Sequence, residues 1–411
     1  MLLDWTSPPG LEGEVTEGLS EEEAPRPPGR GRQRSRIAVL ARSLLWPVAI
    51  YGVSRLLLMA ITGVIAALDH RALLSQLTGF DGEWYVRLAA HGYPTTALHA
   101  KSTLGFFPLY PMVMRGVAAL LPVSLAVSGV VVSLLGGLVS AVLVQRLATL
   151  WWGPATARRA VAVFVLFPGS VVFSMSYSEG LTLPLVLGCL LALASKRWTL
   201  AGVLAGLATA VTPVALVLVV VCAVVALREL RQAEGGWRDR AARRSLVAPL
   251  LAPAGIAAFA VFLWAWTGTP FATLEAQHYG WHQQGIPLAL LGLPVARHLI
   301  AHPGIVPDYL ANWNVWNGVG GGILFVMSLA RLRRVRHELS PGAIALPATV
   351  LALTLWSVMT PPNARMLLIA APAVLVWARE RPTSRFAAFL LAEIGAFVLM
   401  SALTLSGHML P

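Results

Sequence analysis

The stretch FDGEWYVRLAAHGYP, residues 80–94, sets Asp81, Glu83, Arg87 and His91 among Trp84, Tyr85 and Tyr93, in a chain otherwise rich in Ala, Val and Leu. A carboxylate so placed is equipped to take a proton from a hydroxyl as a general base. In a helix that starts near Asp81, that residue shares a face with Trp84, Tyr85 and Leu88 at i+3, i+4 and i+7. Glu83 and Arg87, spaced i, i+4, fall on another face and pair. Asp81 is therefore the carboxylate turned to the buried side, and Glu83 is already neutralised. A plainer role is open as well, since Phe-Asp-Gly begins a helical stretch and Asp is a favoured N-cap. Spacing alone does not separate base from cap.

Other residues carry chemistry of their own. Glu179 follows Tyr177-Ser178 and is either a site carboxylate or an interfacial cap. His278 and His282 are spaced i, i+4, with Glu275 three residues before the first. That spacing would hold a metal on one helical face, or serve hydrogen-bonded residues of a lid. Trp281 is placed to stack on a sugar or to anchor at a membrane interface. Arg365 is the best candidate to meet a phosphate, against the plainer role of a snorkelling helix-end arginine. Asn312, Asn314 and Asn317 in ANWNVWNGVGGG either line a sugar site or accompany close packing through the glycines. Glu393 has no visible partner. No Asp-x-Asp and no Gly-x-x-x-x-Gly-Lys-Ser/Thr occurs, which argues against a nucleotide-sugar donor held by a divalent metal. The expectation is no cofactor and no metal. Cys189 and Cys222 sit in apolar runs and read as small core residues.

These residues must be positioned by membrane helices. The 411-residue chain is 57% hydrophobic and 12% charged, with mean hydropathy +0.70. Several segments approach or exceed the roughly 18–20 apolar residues that cross a bilayer. The fold class expected is all-α, a polytopic membrane protein. Its arginines stand in short runs between apolar segments, as topology determinants do, so the net charge of +12 does not indicate nucleic acid. Residues 1–42, with seven acids in 1–23 and then five arginines in 24–36, read as a disordered cytoplasmic tail before a membrane domain at 43–411.

Basic clusters stay on the cytoplasmic side. If the tail, 153–159, 195–197, 228–244, 331–338 and 379–385 all do so, the crossings number eleven. They fall at 44–68, 123–150, 160–177, 180–194, two short legs within 198–227, 245–267, 311–330, 342–359, 365–378 and 386–405. The two short legs must break at Val211-Thr212-Pro213. Residues 106–122 then lie in the interface or re-enter. Outer loops at 69–122 and 268–311 collect Asp69, Asp81, Glu83, Glu179, Glu275 and Asp308, together with His91, His278, His282, Trp281, Asn363 and Arg365. Glu393 alone remains a charge within a span. Polar chemistry gathered at one interface implies a site that opens there.

FDGEWYVRLAAHGYP followed by FFPLYPMVMR resembles the signature of PIG-V-like mannosyltransferases of the GT-C superfamily, known from GPI-anchor assembly and from actinobacterial relatives. LFPGSVVFSMSYSEGLTL (166–183), GTPFATLEAQHYGWHQ (268–283) and PPNARMLLIAAPAVLVWA (361–378) resemble later segments of that family in order. There are departures: Phe80 stands where Trp is frequent, Val211-Thr212 precede Pro213, and Met366 follows Arg365. The resemblance implies a multi-pass plasma-membrane glycosyltransferase with its N-terminus cytoplasmic and its site extracytoplasmic. It implies transfer of a hexose, mannose above all, with inversion, from a polyprenyl-phosphate sugar to a glycan, glycolipid or protein acceptor. Asp81 matches the catalytic base, and Glu83, Glu179, Gln277, His278, Trp281 and Arg365 are the substrate contacts. One base suffices because phosphate is a good leaving group, unlike glycoside hydrolysis with its two carboxylates. The rival functions are a transporter or lipid flippase, which would show matched broken helices in two halves, and a non-catalytic subunit of a glycosylation complex.

Overall fold

The structure, a computed structural model, describes residues 30–282, 293–356 and 363–411. Contacts group the chain into Met1–Leu44 and Leu45–Pro411. In the first unit the chain is helical from Arg30, within the stretch read as tail; residues 1–29 of that tail lie outside the described residues. The rest concerns the second unit.

Among the described residues every regular element is helical. Among the described residues, six helices suffice by length and apolarity to cross a membrane, or seven if the bent pair Pro168–Ser174 and Glu179–Ala194 is one span. Eleven were expected. The remaining segments are short or broken helices that do not meet that length: Leu109–Leu120, Trp198–Val211, Pro341–Trp356 and the run from Ala364 to Arg379, which is interrupted twice. The helices that matter here are α1 (Leu44–Asp69), α2 (Asp81–His91), α3 (Leu109–Leu120), α4 (Leu125–Leu166), α5 (Glu179–Ala194), α6 (Trp198–Val211), α7 (Val217–Gln232), α8 (Ala254–Thr267), α9 (Trp313–Val335), α10 (Pro341–Trp356), α11 (Ala364–Ile369) and α12 (Thr383–Leu405).

The long α4 is two legs. Ser124 caps its start by accepting Val127 N–H, and Gly153 adopts φ 78° just before Pro154. Only glycine enters that conformation without strain, and Pro suits the first turn of the leg that follows. Ser133 Oγ donates to the Tyr177 carbonyl at 3.0 Å. A straight helix would carry Leu166 about 50 Å from Ser133, and the eleven residues from Leu166 to Tyr177 span at most about 40 Å. The legs must therefore fold back at Gly153, where the sequence reading placed a loop. The expected break of the 198–227 pair is also present: Thr212 is extended between α6 and a 3-10 turn at Pro213–Leu216.

Packing is close because the contact faces are small. Ser133, Gly136, Gly137 and Ser140 of α4, at i, i+3, i+4 and i+7, turn inward, and Gly136 meets the Gly180 carbonyl. In lipid, apolar burial drives helix association little, so small residues and interhelical hydrogen bonds matter more. Leu58, Val144, Phe164, Phe173, Leu187, Ala205, Leu218 and Leu368 join α1, α4 to α7 and α11 in one core. Cys189 and Cys222 are free and buried, Sγ to Sγ 3.9 Å.

The bundle has two ends. At one, Arg159 donates to the Glu380 carbonyl and to Thr383 Oγ1, Arg331 pairs with Glu380, and Arg379 pairs with Glu338 at 2.6 Å. Lys196 pairs with Glu229. Ion pairs thus join 331–338 with 379–385, and separately 195–197 with 228–244, and the Arg159 hydrogen bonds tie 153–159 to 379–385. From Lys196 the sixteen residues of α5 lead about 24 Å away to Glu179.

Arg55 corrects the expectation that Glu393 is almost alone as a charge within a span. It is buried in α1, and its guanidinium donates to the Val165 and Ser170 carbonyls and to Ser54, Ser170 and Ser174 hydroxyls. All five donors are used, with no carboxylate among the acceptors. Glu393 is buried, and neither of its oxygens has a hydrogen-bond partner.

Candidate functional site

Phe80, at φ 56°, occupies the cap position before α2 without a side-chain cap bond, and Asp81 is the first helical residue. The Asp81 carboxylate is therefore not the cap. Its Oδ2 accepts from Arg365 Nη1 at 3.0 Å, across 284 positions of sequence. Arg365 Nε lies 3.3 Å from Glu179 Oε1, close enough for an ion pair but not aligned as a hydrogen bond, and both Nε and Glu179 Oε2 are buried without one. Exposure runs 39% for the Asp81 side chain, 23% for Arg365 and 10% for Glu179, so the triplet is open from the aspartate side.

Three chain segments hold it. Asp81 N–H donates to the Tyr177 hydroxyl at 3.2 Å, and the Arg365 guanidinium carbon stands 5.5 Å over the Tyr177 ring. Tyr177 is placed in turn by Ser133, whose Oγ bonds its carbonyl. On the far side, a Cβ at Gly169 would run into the Ala364 carbonyl and lie 2.8 Å from Arg365 N, so the turn carrying Gly169 reaches the backbone of Arg365 only because that residue is glycine. Tyr85, one turn along α2, is buried; burial raises its phenol far above the ordinary value, and Asp81 and Glu179 add to the effect. It stays protonated and is no candidate for the base.

The other expected residues lie elsewhere. Glu83 pairs with Arg87 at 3.7 Å on the exposed side of α2, as the spacing required. Gln277 donates to the Gly105 carbonyl at 2.8 Å. Trp281 packs edge-on against Trp84 at 4.8 Å and Phe106 at 5.5 Å, with Lys101 Nζ 4.6 Å over its ring. His278 is exposed and lies edge-on to Tyr279. Gln277 and Trp281 thus gather on the aromatic wall beside Asp81, not on the ion triplet. Glu275 accepts from Thr269 and lies 4.0 Å from His99. Among the described residues no three His, Cys, Asp or Glu side chains converge as metal ligands. A cavity of about 420 Å³ opens past the other end of α2, lined by Arg87, His91, Gly92, Tyr93, Pro94 and Thr103.

One residue around the site carried another expectation, and one carried none. Asn317, read as lining a sugar site or accompanying close packing, accepts Ala364 N–H at 3.2 Å, next to Arg365. Ser133 was not singled out at all. Its signal in the sequence is the small-residue spacing on α4.

The family described as Mannosyltransferase (PIG-V) matches residues 34–288. No curated protein matches the chain in sequence. Among solved structures, the apo oligosaccharyltransferase of Archaeoglobus fulgidus is similar with TM-score 0.52 and 14% identity over 88% of this chain. ArnT from Cupriavidus metallidurans bound to undecaprenyl phosphate is similar with TM-score 0.50 and 15% identity, also over 88%. This chain spans 56% of the first protein's length and 76% of the second's. Both are GT-C glycosyltransferases, and at such identity the likeness concerns the fold.

Proposed function

The chain belongs to the PIG-V mannosyltransferase family and is a membrane glycosyltransferase, and from that premise we propose that it moves mannose from a polyprenyl phosphate to an acceptor hydroxyl, with Asp81 as base and Arg365 as the phosphate ligand. The acceptor oxygen attacks the anomeric carbon as its proton passes to Asp81. The bond from that carbon to the phosphate oxygen breaks, and the polyprenyl phosphate leaves with the electron pair, inverting the centre. No second acid is needed, because phosphate leaves without prior protonation.

One observation carries this reading: the 3.0 Å contact of Arg365 with Asp81, with Glu179 behind it. It sets a guanidinium against a half-open carboxylate, with a buried one behind. A donor phosphate competes for the guanidinium's fork, for which arginine is well suited, and in doing so releases Asp81 to act. Glu179 keeps the cation in place when Asp81 is released. ArnT's complex with undecaprenyl phosphate supports the donor class by analogy of fold. The ion-paired basic clusters about 24 Å from Glu179 support a site on the extracytoplasmic side, since such clusters mark the cytoplasmic one.

The test is transfer of radiolabel from polyprenyl-phosphate mannose in membranes holding the wild type or Asp81→Asn. Asn has nearly the shape of Asp, and Asp81 does not serve as the cap of α2, so expression and folding should persist while transfer is lost. Transfer at the wild-type rate by Asp81→Asn would remove the base assignment.

A further inference from the structure

The asparagines of ANWNVWN point to a device that the reaction above does not include. We infer that Asn317 is a positioning residue for Arg365, acting through the backbone of α11; this rests on the proposed role of Arg365 toward a phosphate. The argument starts from the length of α11. A helix of six residues cannot hold itself, because nucleation costs more than so few hydrogen bonds return. Its first N–H groups have no partners within the helix. Two side chains supply them. Asn363, the N-cap, accepts Met366 N–H at 3.0 Å. Asn317, buried on α9, accepts Ala364 N–H at 3.2 Å. Arg365 is thus bracketed by asparagine bonds on both neighbours, with the Gly169 turn packed against its own backbone.

Asn317 is itself held. Its Nδ2 donates to the Leu410 carbonyl at 3.3 Å, and Asn314 Oδ1 accepts Leu410 N–H at 2.8 Å. Asn363 Nδ2 donates to the Pro411 carbonyl at 3.4 Å. The segment after α12 therefore closes a ring of hydrogen bonds: α9 to residue 410, residue 411 to Asn363, and Ala364 back to α9. A guanidinium at the end of a long side chain moves farther than the backbone that carries it. Loosening this ring would spread Arg365 over several positions and weaken its grip on a phosphate, while leaving the carboxylates where they are.

The experiment measures equilibrium binding of undecaprenyl phosphate to the purified full chain in detergent, for wild type, Asn317→Ala, Arg365→Ala and the double variant. Losing one well-placed buried hydrogen bond should weaken binding about tenfold in Asn317→Ala. In the Arg365→Ala background the same substitution should have little further effect, because a positioning residue has nothing left to position. Equal losses in both backgrounds would mean a general structural role, and the inference falls while the phosphate assignment stands. Arg365→Ala binding as the wild type does would sink the phosphate assignment, and the inference with it, at the single variant. Should Asn317→Ala not fold, Asn317→Asp enters the same cycle. It keeps the acceptor for Ala364 N–H and loses the donor to Leu410, but Asn314 still ties Leu410 to α9 and keeps the ring closed, so it should bind near the wild-type level. Binding weakened to the level expected of the alanine variant would refute the Ala364 bond as the positioning contact.

Discussion

Arg365 stands between two carboxylates on one guanidinium, and neither neighbour is interchangeable. Nη1 meets the half-open Asp81, while Nε faces the buried Glu179. A lysine keeps the charge but not the fork, and a single ammonium cannot face Asp81, Glu179 and an incoming phosphate together. Arg365→Lys is therefore expected to raise KM for the lipid-phosphate donor about tenfold or more, with KM for the acceptor nearly unchanged; steady-state kinetics with each substrate varied in turn would check it. Asp81 was legible in the sequence because its type, its helical face and its aromatic neighbours agree. Its ion pair was not, since the partner is 284 residues away and no periodicity links them. Gln277, Trp281 and His278 came from a loop resemblance, which indicates a neighbourhood but not which member of it touches the charge.

The elements position these residues through a few tight joints. Gly169 lets the turn after α4 touch the backbone of Arg365, so Gly169→Ala should destabilise the protein by about 1–3 kcal/mol, the usual cost of overpacking, and depress transfer. A lowered melting temperature together with lost donor binding is the expected pair of results. Arg55 joins α1 to the same turn through three bonds to Ser170 and Ser174, and to the end of α4 through the Val165 carbonyl. Arg55→Met should cost about 3 kcal/mol or more, because two carbonyls and three hydroxyls lose a buried donor; thermal unfolding in detergent would measure it. The break at Pro213 was readable, since parity required two crossings in about thirty residues and a proline stood between them. Arg55 was hidden because an arginine satisfied by carbonyls has no acidic partner to betray it in sequence. The turn at Gly153 was read as a loop, although one glycine and one proline were enough to reverse the helix.

At the scale of the molecule, α5, α9 and α12 run between an end tied by Arg–Glu pairs and an end that holds the site. Two variants with one added cysteine each, His91→Cys at the other end of α2 from Asp81 and Arg334→Cys at the far end of α9, should react differently with an impermeant maleimide on intact cells. His91→Cys should label and Arg334→Cys should label only after lysis; the native Cys189 and Cys222 are buried and stay silent. The reverse pattern would invert the proposed orientation. The family match ends at residue 288, well before Arg365. A growing chain therefore inserts both acids long before their cation emerges from the ribosome. Until that late arrival neither carboxylate has Arg365 as a partner, and a message cut short after residue 288 yields a chain that carries the whole matched segment without the arginine that pairs with both acids.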